Sequence, residues 1–353
     1  MCEAVQLIIN GALDGGGTEA GLAARVGMSS RHLRRLFLKH LGASPDQLAR
    51  SRRAHFARRL LDDSDLTFLE IAFASGFGSL RQFNRTMQDV FRASPTVLRS
   101  RRRRTDRLAA DGGLALRLPV APGYDWGAVQ SFLAARAIPG VETVHGATYR
   151  RAIRVADAPG LLEACGAAEE GYLLLRLHLP YWEGLIHIVE KANRVLGVDS
   201  DHAVGTAAWH ESPELGLPAA SHAGRVIPGA WSLFEAGVWT ILSGAQAGRD
   251  QLLAAFVTHL GTPVPGLPDG LTHTFPEPAT VTSEGLARIG LPAAEAAAIA
   301  AMAGTLAPSG EVRMEPEQWR PWLALAATQL AARSTKAVDG AALAGAPATR
   351  HWS

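Results

Sequence analysis

The sequence predicts a multidomain protein in which an all-α domain of two helix-turn-helix units precedes an α+β subdomain and then a second all-α subdomain. Three observations carry this prediction. The first hundred residues contain one helical module twice, the apolar pattern becomes strand-like near residue 114, and helical spacing returns near residue 185. A chain of 353 residues has room for two or three such domains.

The repeat has an offset of fifty residues, and each copy consists of a helix, a glycine-containing turn and a second helix. The tripeptide Ala-Ser-Pro at 43–45 returns at 93–95, and Ser29 aligns with Ser79. Both serines stand where an N-cap side chain would accept a hydrogen bond from a free backbone N–H. The second helix of each copy is therefore predicted to begin at its serine, and a helix over 45–61 is predicted to join the copies.

The predicted second helices carry polar side chains suited to the major groove of DNA. Arginine can donate two hydrogen bonds to guanine, and glutamine can bond adenine in the same bidentate way. The candidate DNA-binding residues on these helices are Arg31, Arg34, Arg35, Arg81, Gln82 and Arg85, with Ser29 and Ser79 at the helix starts. The alternative is a solvated helix face that binds nothing.

The distribution of charge favours DNA binding over that alternative. Residues 1–104 hold 18 Lys and Arg against 9 Asp and Glu, whereas the remaining residues hold 17 against 24. A basic segment joined to a mildly acidic one is typical of a DNA-binding module fused to another domain. The predicted partner of the first domain is therefore double-stranded DNA.

A run of five arginines at 99–104 marks the domain boundary. Like charges repel each other, so the run is predicted to be a solvated linker, and Arg102 within it could also hold a phosphate of the DNA backbone. The predicted segments are a DNA-binding domain at 1–99, a basic linker at 100–112, an α+β subdomain at 113–184, a helical subdomain at 185–335 and a flexible tail at 336–353.

The α+β subdomain is predicted from short extended segments on either side of one helix. Residues 114–120, 147–155 and 171–180 have the composition of strands. Residues 126–137 have helical spacing and end before a Pro-Gly pair at 139–140. From residue 185 the pattern is helical, with breaks near Val198, Ser212, Gly261 and Gly290.

Several short motifs in the first domain match a known pattern. They are Glu70-Ile71-Ala72, Ser75-Gly76-Phe77, Asn84-Arg85 and Ala93-Ser94-Pro95. With these motifs, residues 4–99 resemble the C-terminal DNA-binding domain of the AraC family of transcription regulators. The resemblance implies that the two helix-turn-helix units, joined by a long helix, enter adjacent major grooves from one face of the DNA.

A second set of motifs runs through residues 113–330. It includes Tyr124-Asp125-Trp126, Ile138-Pro139-Gly140-Val141-Glu142, Tyr149-Arg150, Arg225-Val226-Ile227-Pro228-Gly229-Ala230-Trp231 and Trp319-Arg320-Pro321-Trp322. These residues resemble the AlkA family of 3-methyladenine DNA glycosylases, which flip alkylated bases out of DNA and cut the glycosidic bond. Fusions of AraC-type and AlkA-type domains are typical of the adaptive response to alkylation damage.

One segment departs from the family pattern. Met314 is followed almost at once by Trp319, where the family has a helix-hairpin-helix and then the catalytic Asp. The hairpin holds a DNA phosphate through backbone N–H groups, and the carboxylate stabilises the cationic sugar. The sequence therefore predicts a truncated helix-hairpin-helix glycosylase-like subdomain, no catalytic residue and no enzyme activity.

Three functions remain open for the second part of the chain. The first is sensing of a small ligand or an alkylated base in a cleft between subdomains, and the candidate pocket residues are Tyr124, Trp126, Tyr181, Trp182 and Trp231. The second is a glycosylase that also regulates repair genes. The third is a scaffold that dimerises or recruits RNA polymerase.

The cysteine count and the hydropathy exclude other classes of protein. Cys2 and Cys165 supply neither a disulfide framework nor the four ligands of a structural zinc site, so no metal or cofactor is predicted. No apolar run approaches the eighteen or so residues of a membrane span, and the N-terminus lacks a signal peptide. The protein is expected to be cytoplasmic and not to bind membranes.

Overall fold

The computed structural model describes residues 1–102, 108, 113–167, 170–198, 228–243 and 248–306. These residues separate into two compact units, of which the first draws on the described residues within 1–119 and 170–193 and the second on those within 120–167 and 194–306. The predicted break near Ser212, the segment after Met314 and the predicted tail at 336–353 lie outside the described residues. No helix in the described ranges is both long and apolar enough to cross a bilayer.

Within residues 1–102 the structure has the repeated helical order that the sequence predicts. The helices are α1 (Cys2–Ile9), α2 (Glu19–Arg25), α3 (Ser30–Leu41), α4 (Pro45–Asp63), α5 (Phe68–Ala74), α6 (Leu80–Phe91) and α7 (Pro95–Ser100). The two helix-turn-helix units are α2 with α3 and α5 with α6. The joining helix is α4, which ends two residues beyond the predicted 45–61.

The predicted N-caps are confirmed. The Ser29 hydroxyl accepts a hydrogen bond from the His32 N–H at 3.3 Å, and the Ser79 hydroxyl accepts one from the Gln82 N–H at 3.2 Å. The two helices also end alike, because the C-cap residue is left-handed in both, Gly42 with φ 67° and Arg92 with φ 55°. The fifty-residue repeat is therefore a repeat of backbone conformation as well as of sequence.

Each helix-turn-helix copy has its own apolar core. In the first copy the buried side chains that pack together include Ile8, Leu22, Leu33 and Phe37. In the second copy Ile71, Phe77, Phe83 and Met87 are buried, and the rings of Phe77 and Phe83 meet edge to face with centroids 5.6 Å apart. Burial of these faces fixes which side of α3 and α6 points to solvent.

The remaining described elements follow in chain order. They are β1 (Leu114–Pro119), α8 (Trp126–Arg136), β2 (Glu142–His145), β3 (Thr148–Val155), β4 (Ala158–Ala167), β5 (Tyr172–His178), α9 (Leu185–Leu196), α10 (Leu233–Ser243), α11 (Arg249–Leu260), β6 (Thr262–Pro263), β7 (His273–Thr274), a 3₁₀ turn (Pro278–Thr280), α12 (Ser283–Ile289) and α13 (Ala293–Thr305).

The first unit contains β1, β5 and most of α9 in addition to α1–α7. Strands β1 and β5 are antiparallel, with Leu114 opposite Leu177. Arg117 on β1 connects this ribbon to the end of α4, because its guanidinium donates to the Asp63 carboxylate at 2.8 Å and its N–H donates to the same carboxylate at 3.0 Å. The strand ribbon is thereby part of the same unit as helices α1–α7.

The second unit combines a meander with a helical core. Strands β2, β3 and β4 pair antiparallel in sequence order. The helical core is formed by apolar side chains of α10–α13, among them Phe234, Val238, Leu253 and Phe256. The expectation of an all-α subdomain after residue 185 needs one correction, since β6 and β7 form a two-stranded ribbon. Each of these strands has only two residues, which is too short for a period-two pattern to show in the sequence.

Candidate nucleic-acid interface

Helix α3 presents a cationic face on the side away from its buried apolar residues. Leu33 and Phe37 are completely buried, whereas Arg31, Arg34 and Arg35 are exposed. The 3.6-residue period of the helix separates these two sets of side chains. The structure thus brings all three predicted arginines of the first copy to one exposed surface.

Helix α6 repeats this arrangement in the second copy. Phe83 and Met87 are completely buried, and Arg81, Gln82 and Arg85 are exposed. An α-helix with such a face fits the major groove, where its arginines can bond guanine and neutralise phosphates. The assignment of individual side chains to bases stays a prediction.

Short-range contacts already orient part of these faces. The Gln82 Oε1 accepts a hydrogen bond from the Gly78 N–H at 3.0 Å, so its amide NH₂ is turned outward as the group left to donate. The Arg35 guanidinium donates to His32 Nδ1 at 3.0 Å, and Arg34 pairs with Glu19 at 3.7 Å. Within the described residues Arg81 makes no ion pair, so a contact with DNA would not require it to give up a partner.

Arg102 has partners inside the protein. Its guanidinium donates to the Ser64 carbonyl at 2.6 Å and to Asp65 at 2.8 Å. Nearby, Arg99 donates to the Leu66 carbonyl at 2.6 Å and lies 4.8 Å from the centroid of the Phe68 ring. These contacts tie the end of α7 to the loop between α4 and α5. The phosphate contact of Arg102 stays a prediction. To make that contact, the guanidinium would have to leave the Ser64 carbonyl and Asp65.

A charged cluster that the sequence analysis missed lies in the same unit. We call it the anchor cluster, and it consists of Asp14, Arg52, Arg53, His187 and Glu190. Arg53 is only 4% exposed and donates to Asp14 at 2.6 Å. No local motif signals such a cluster, because its members come from the loop after α1, from α4 and from α9.

The anchor cluster is expected to make stability depend on pH. Burial lowers the pKa of His187, and the positive charges of Arg52 and Lys191 lower it further against the opposing effect of Asp14. The folded protein therefore holds His187 neutral where the unfolded chain, with a pKa of about 6.5, takes up a proton. Thermal unfolding between pH 7.5 and 5 should show stability falling below about pH 6.5, and falling less in His187→Gln. Equal slopes for both proteins would refute this expectation.

The five predicted pocket residues do not all lie in one unit. Tyr181 and Trp182 belong to the first unit, and Tyr124, Trp126 and Trp231 to the second. Their positions therefore describe no single pocket within either unit, and their role in ligand binding stays a prediction.

Two of these aromatic side chains are already bonded within the second unit. Tyr124 is buried and its hydroxyl donates to the Leu196 carbonyl at 2.7 Å, and burial raises the pKa of that hydroxyl. The Trp126 indole N–H donates to the Ala147 carbonyl at 3.3 Å. The Trp126 ring also packs against Gly166, where a Cβ would come within 2.3 Å of Cδ1.

A buried ion network occupies the centre of the second unit. Arg151, completely buried, donates to Glu142 at 2.5 Å and binds both carboxylate oxygens of Glu235. The Trp231 ring covers its guanidinium at 5.1 Å, and the Tyr149 hydroxyl donates to Glu142 at 2.6 Å. The network thus explains the position of Trp231 without a ligand.

The two carboxyl groups of this network titrate differently. Burial raises the pKa of Glu235, and the charge of Glu142 adds to that rise. Burial would also raise the pKa of Glu142, but Arg151 and Arg136 bring it below its ordinary value. Glu142 is therefore the firmly ionised partner of Arg151.

A small cleft with an internal volume of about 20 Å³ opens beside the network. Its lining includes Arg136, Glu142, Glu235 and Trp239, and none of the five predicted pocket residues. The cleft is therefore a site that the sequence analysis did not find. Across the described residues, no group of three or more His, Cys, Asp and Glu side chains is placed to hold a metal ion.

Comparison with known proteins gives matches in both parts of the chain. A helix-turn-helix domain model matches residues 22–101, and an AlkA N-terminal domain model matches residues 115–232. The chain is 32% identical over 315 residues to a probable bifunctional transcriptional activator/DNA repair enzyme AlkA of Mycobacterium tuberculosis (strain ATCC 25618 / H37Rv). This match covers 87% of the chain but only 62% of the length of that relative.

Two further matches concern the second part of the chain. DNA-3-methyladenine glycosylase 2 of Escherichia coli (strain K12) is 30% identical over 196 residues, covering 52% of this chain and 66% of that protein. The structure of a 3-methyladenine DNA-glycosylase from Archaeoglobus fulgidus matches with a TM-score of 0.42 and 20% identity, covering 53% of this chain and 66% of the other.

These comparisons overturn the prediction that the chain is not an enzyme. The relative that matches across both parts is named a DNA repair enzyme, and a second relative is named a glycosylase. The prediction depends on the missing helix-hairpin-helix and catalytic Asp after Met314. That segment lies outside the described residues, so the structure does not support the prediction. The chain combines an AraC-type helix-turn-helix domain with an AlkA N-terminal domain, and in this order of domains it resembles the bifunctional AlkA proteins.

Proposed function

We propose that the chain is a sequence-specific transcription regulator that binds double-stranded operator DNA through α3 and α6. One observation carries the proposal: both helices begin at a serine cap, bury one apolar face and present arginines on the other. Two such helices joined by α4 are suited to reading two segments of one duplex. As a DNA-binding regulator, the protein would act in the cytoplasm, where bacterial DNA lies.

Selection of bound sites from random duplex DNA tests this proposal. The full chain should enrich sequences with two conserved blocks whose centres lie roughly 10 base pairs, or one helical turn, apart. Alanine at Arg31, Arg34 and Arg35 together should erase one block and keep the other, because α3 and α6 read separate segments. Enrichment of a single block, or of no sequence, would contradict the proposal.

For the AlkA-like part we infer an action on alkylated bases in DNA. The inference is supported by the AlkA N-terminal match and by the names of the two relatives, and it makes the chain a regulator that also serves alkylation repair. A strand-release assay on duplex DNA with one methylated purine tests it. We expect base loss at that position with the folded chain and none with heat-denatured protein. Intact strands after long incubation with folded protein would count against the inference.

Ligand sensing is a second candidate function, and the cleft beside Glu142 and Glu235 is the place to look for it. Both carboxylates already bind Arg151, so a flat ligand such as a free methylated nucleobase would meet chiefly Trp239 and would have to widen the cleft. A sensor should show a higher unfolding temperature with such a ligand, since only binding to the folded state stabilises it. Recruitment of RNA polymerase remains a separate prediction, best examined by transcription from the selected operator.

A further inference from the structure

Arg53 connects the two helix-turn-helix copies through one buried side chain. It projects from the joining helix α4 and donates to the Leu13 carbonyl at 3.0 Å and to the Asp14 carboxylate at 2.6 Å, both in the first copy. On the other side its guanidinium lies 5.6 Å from the centroid of Phe77, in the turn of the second copy. The placement of α6 relative to α3 therefore depends on the environment of this arginine.

Helix α9 completes that environment from a distant part of the sequence. The Arg52 Nε donates to Glu190 at 3.3 Å, and His187 Nε2 lies 3.4 Å from Asp14 Oδ2. The His187 ring also fills the space that Gly11 leaves open, because a Cβ at Gly11 would lie 2.4 Å from the ring. Shape and charge thus both fit α9 against the loop after α1 and against α4.

The anchor cluster is closely packed but incompletely hydrogen-bonded. Asp14 Oδ2 and Arg53 Nε are buried, and neither has a hydrogen-bond partner among the described residues. Buried polar groups without partners are costly, so the arrangement is held by the surrounding charges rather than by saturated hydrogen bonds. Loss of one neighbouring charge should therefore allow Asp14 and the arginines to rearrange.

We propose that His187 and Glu190 of α9 are positioning residues for DNA reading, which hold Asp14 and Arg52 so that α3 and α6 keep a fixed separation and orientation. Both residues lie inside the segment that matches the AlkA N-terminal domain, residues 115–232. A segment typical of a repair enzyme is thereby part of the operator reader. The inference rests on the proposed function, because it concerns how the two helices share one operator.

The test compares operators that differ only in the spacing between their two blocks. One inserted base pair rotates the second block by roughly 34° and moves it by about 3.4 Å, which rigidly placed helices cannot follow. We expect the wild-type chain to lose about tenfold or more in affinity on this insertion, and the double variant His187→Gln/Glu190→Gln to lose less than about threefold. Affinity for a duplex with a single block should agree within about twofold between the two proteins.

The exposed Glu183 supplies the matched control, because Glu183→Gln removes the same charge just before α9. It should keep the wild-type penalty for the inserted base pair. If the double variant unfolds, Glu190→Gln alone is used, with thermal unfolding to show that it is folded. The inference is overturned if the variant loses as much affinity as the wild type when the base pair is inserted. It is also overturned if the variant loses affinity for the single-block duplex to the same extent as for the two-block operator. A wild-type chain that enriches no two-block site overturns the proposed function itself.

Discussion

Arg151→Met is expected to destabilise the second unit by about 3–5 kcal/mol, the cost of removing one member of a buried ion pair. The substitution leaves Glu142 and Glu235 close together in the core without Arg151, and the side chains of both are at most 3% exposed. Methionine fills most of the volume, so the loss is chiefly electrostatic. Chemical denaturation followed by intrinsic tryptophan fluorescence, to which Trp231 and Trp239 of the second unit contribute, measures it.

The pH dependence of this loss distinguishes charge from packing. Without Arg151, the two buried carboxylates repel each other and at least one takes a pKa above its unfolded value. The folded variant is therefore more stable at low pH, where that carboxyl is protonated, and it loses this stability as the pH rises through the raised pKa. The difference between wild type and Arg151→Met should therefore be smaller at pH 5 than at pH 8. A difference that is constant across this range would mean that lost packing dominates.

Arg154→Met is the matched control, three residues further along β3. Arg154 pairs at 2.9 Å with Asp157, whose side chain is 98% exposed. Solvent-exposed pairs of this kind contribute about 1 kcal/mol or less. Arg154→Met should therefore be close to wild type in stability at both pH values, and a large loss there would show that any arginine on β3 is equally important.

Local signals made the helical part of the fold predictable. Helix starts are specified by short local signals, namely Ser29, Ser79 and the two Ala-Ser-Pro tripeptides. Helix α8 was predicted to within one residue from its helical spacing and from the Pro-Gly pair that follows it. Strand β4 was missed because Ala158–Ala167 is rich in Ala and Gly, which have low strand propensity. Its pairing with β3 from Ala158 to Cys165 holds it extended.

Arg53 and Arg151 could not be recognised from the sequence for a different physical reason. An arginine side chain is normally exposed, so a buried one can be recognised only from the residues that surround it in the folded protein. Those partners are remote in the chain, since Asp14 precedes Arg53 by 39 residues and Glu235 follows Arg151 by 84. The exposed arginines of α3 and α6 were predictable because helical period alone separates them from the core. The candidate DNA-binding surface was thus accessible to sequence reasoning, and the two clusters around buried arginines were not.

Arg81→Ala is expected to weaken operator binding by about 1–3 kcal/mol, or roughly 5- to 150-fold, and to relax the preference at one base position. Arg81 lies in the first turn of α6, close to the Ser79 cap, and the N-terminal residues of a recognition helix are the ones that contact base edges. Within the described residues it has no ion pair to break, so its contact with DNA is gained without an internal cost. Arg34→Ala should act on the other block with a smaller effect, because Arg34 gives up Glu19 to bind DNA.

Two comparisons decide whether Arg81 reads a base or only a phosphate. Arg102→Ala, at a predicted phosphate contact, should weaken binding to all sequences alike and lower the salt slope by about one. Arg288→Ala removes the same charge from a residue of α12 whose side chain is 68% exposed, and it should change neither affinity nor preference. Arg81→Ala could instead lower the affinity for every DNA sequence equally, as Arg102→Ala should. In that case α6 contacts the DNA backbone rather than the bases, and another surface reads the sequence. A loss confined to operators with the original base at one position is the result that identifies α6 as a recognition helix.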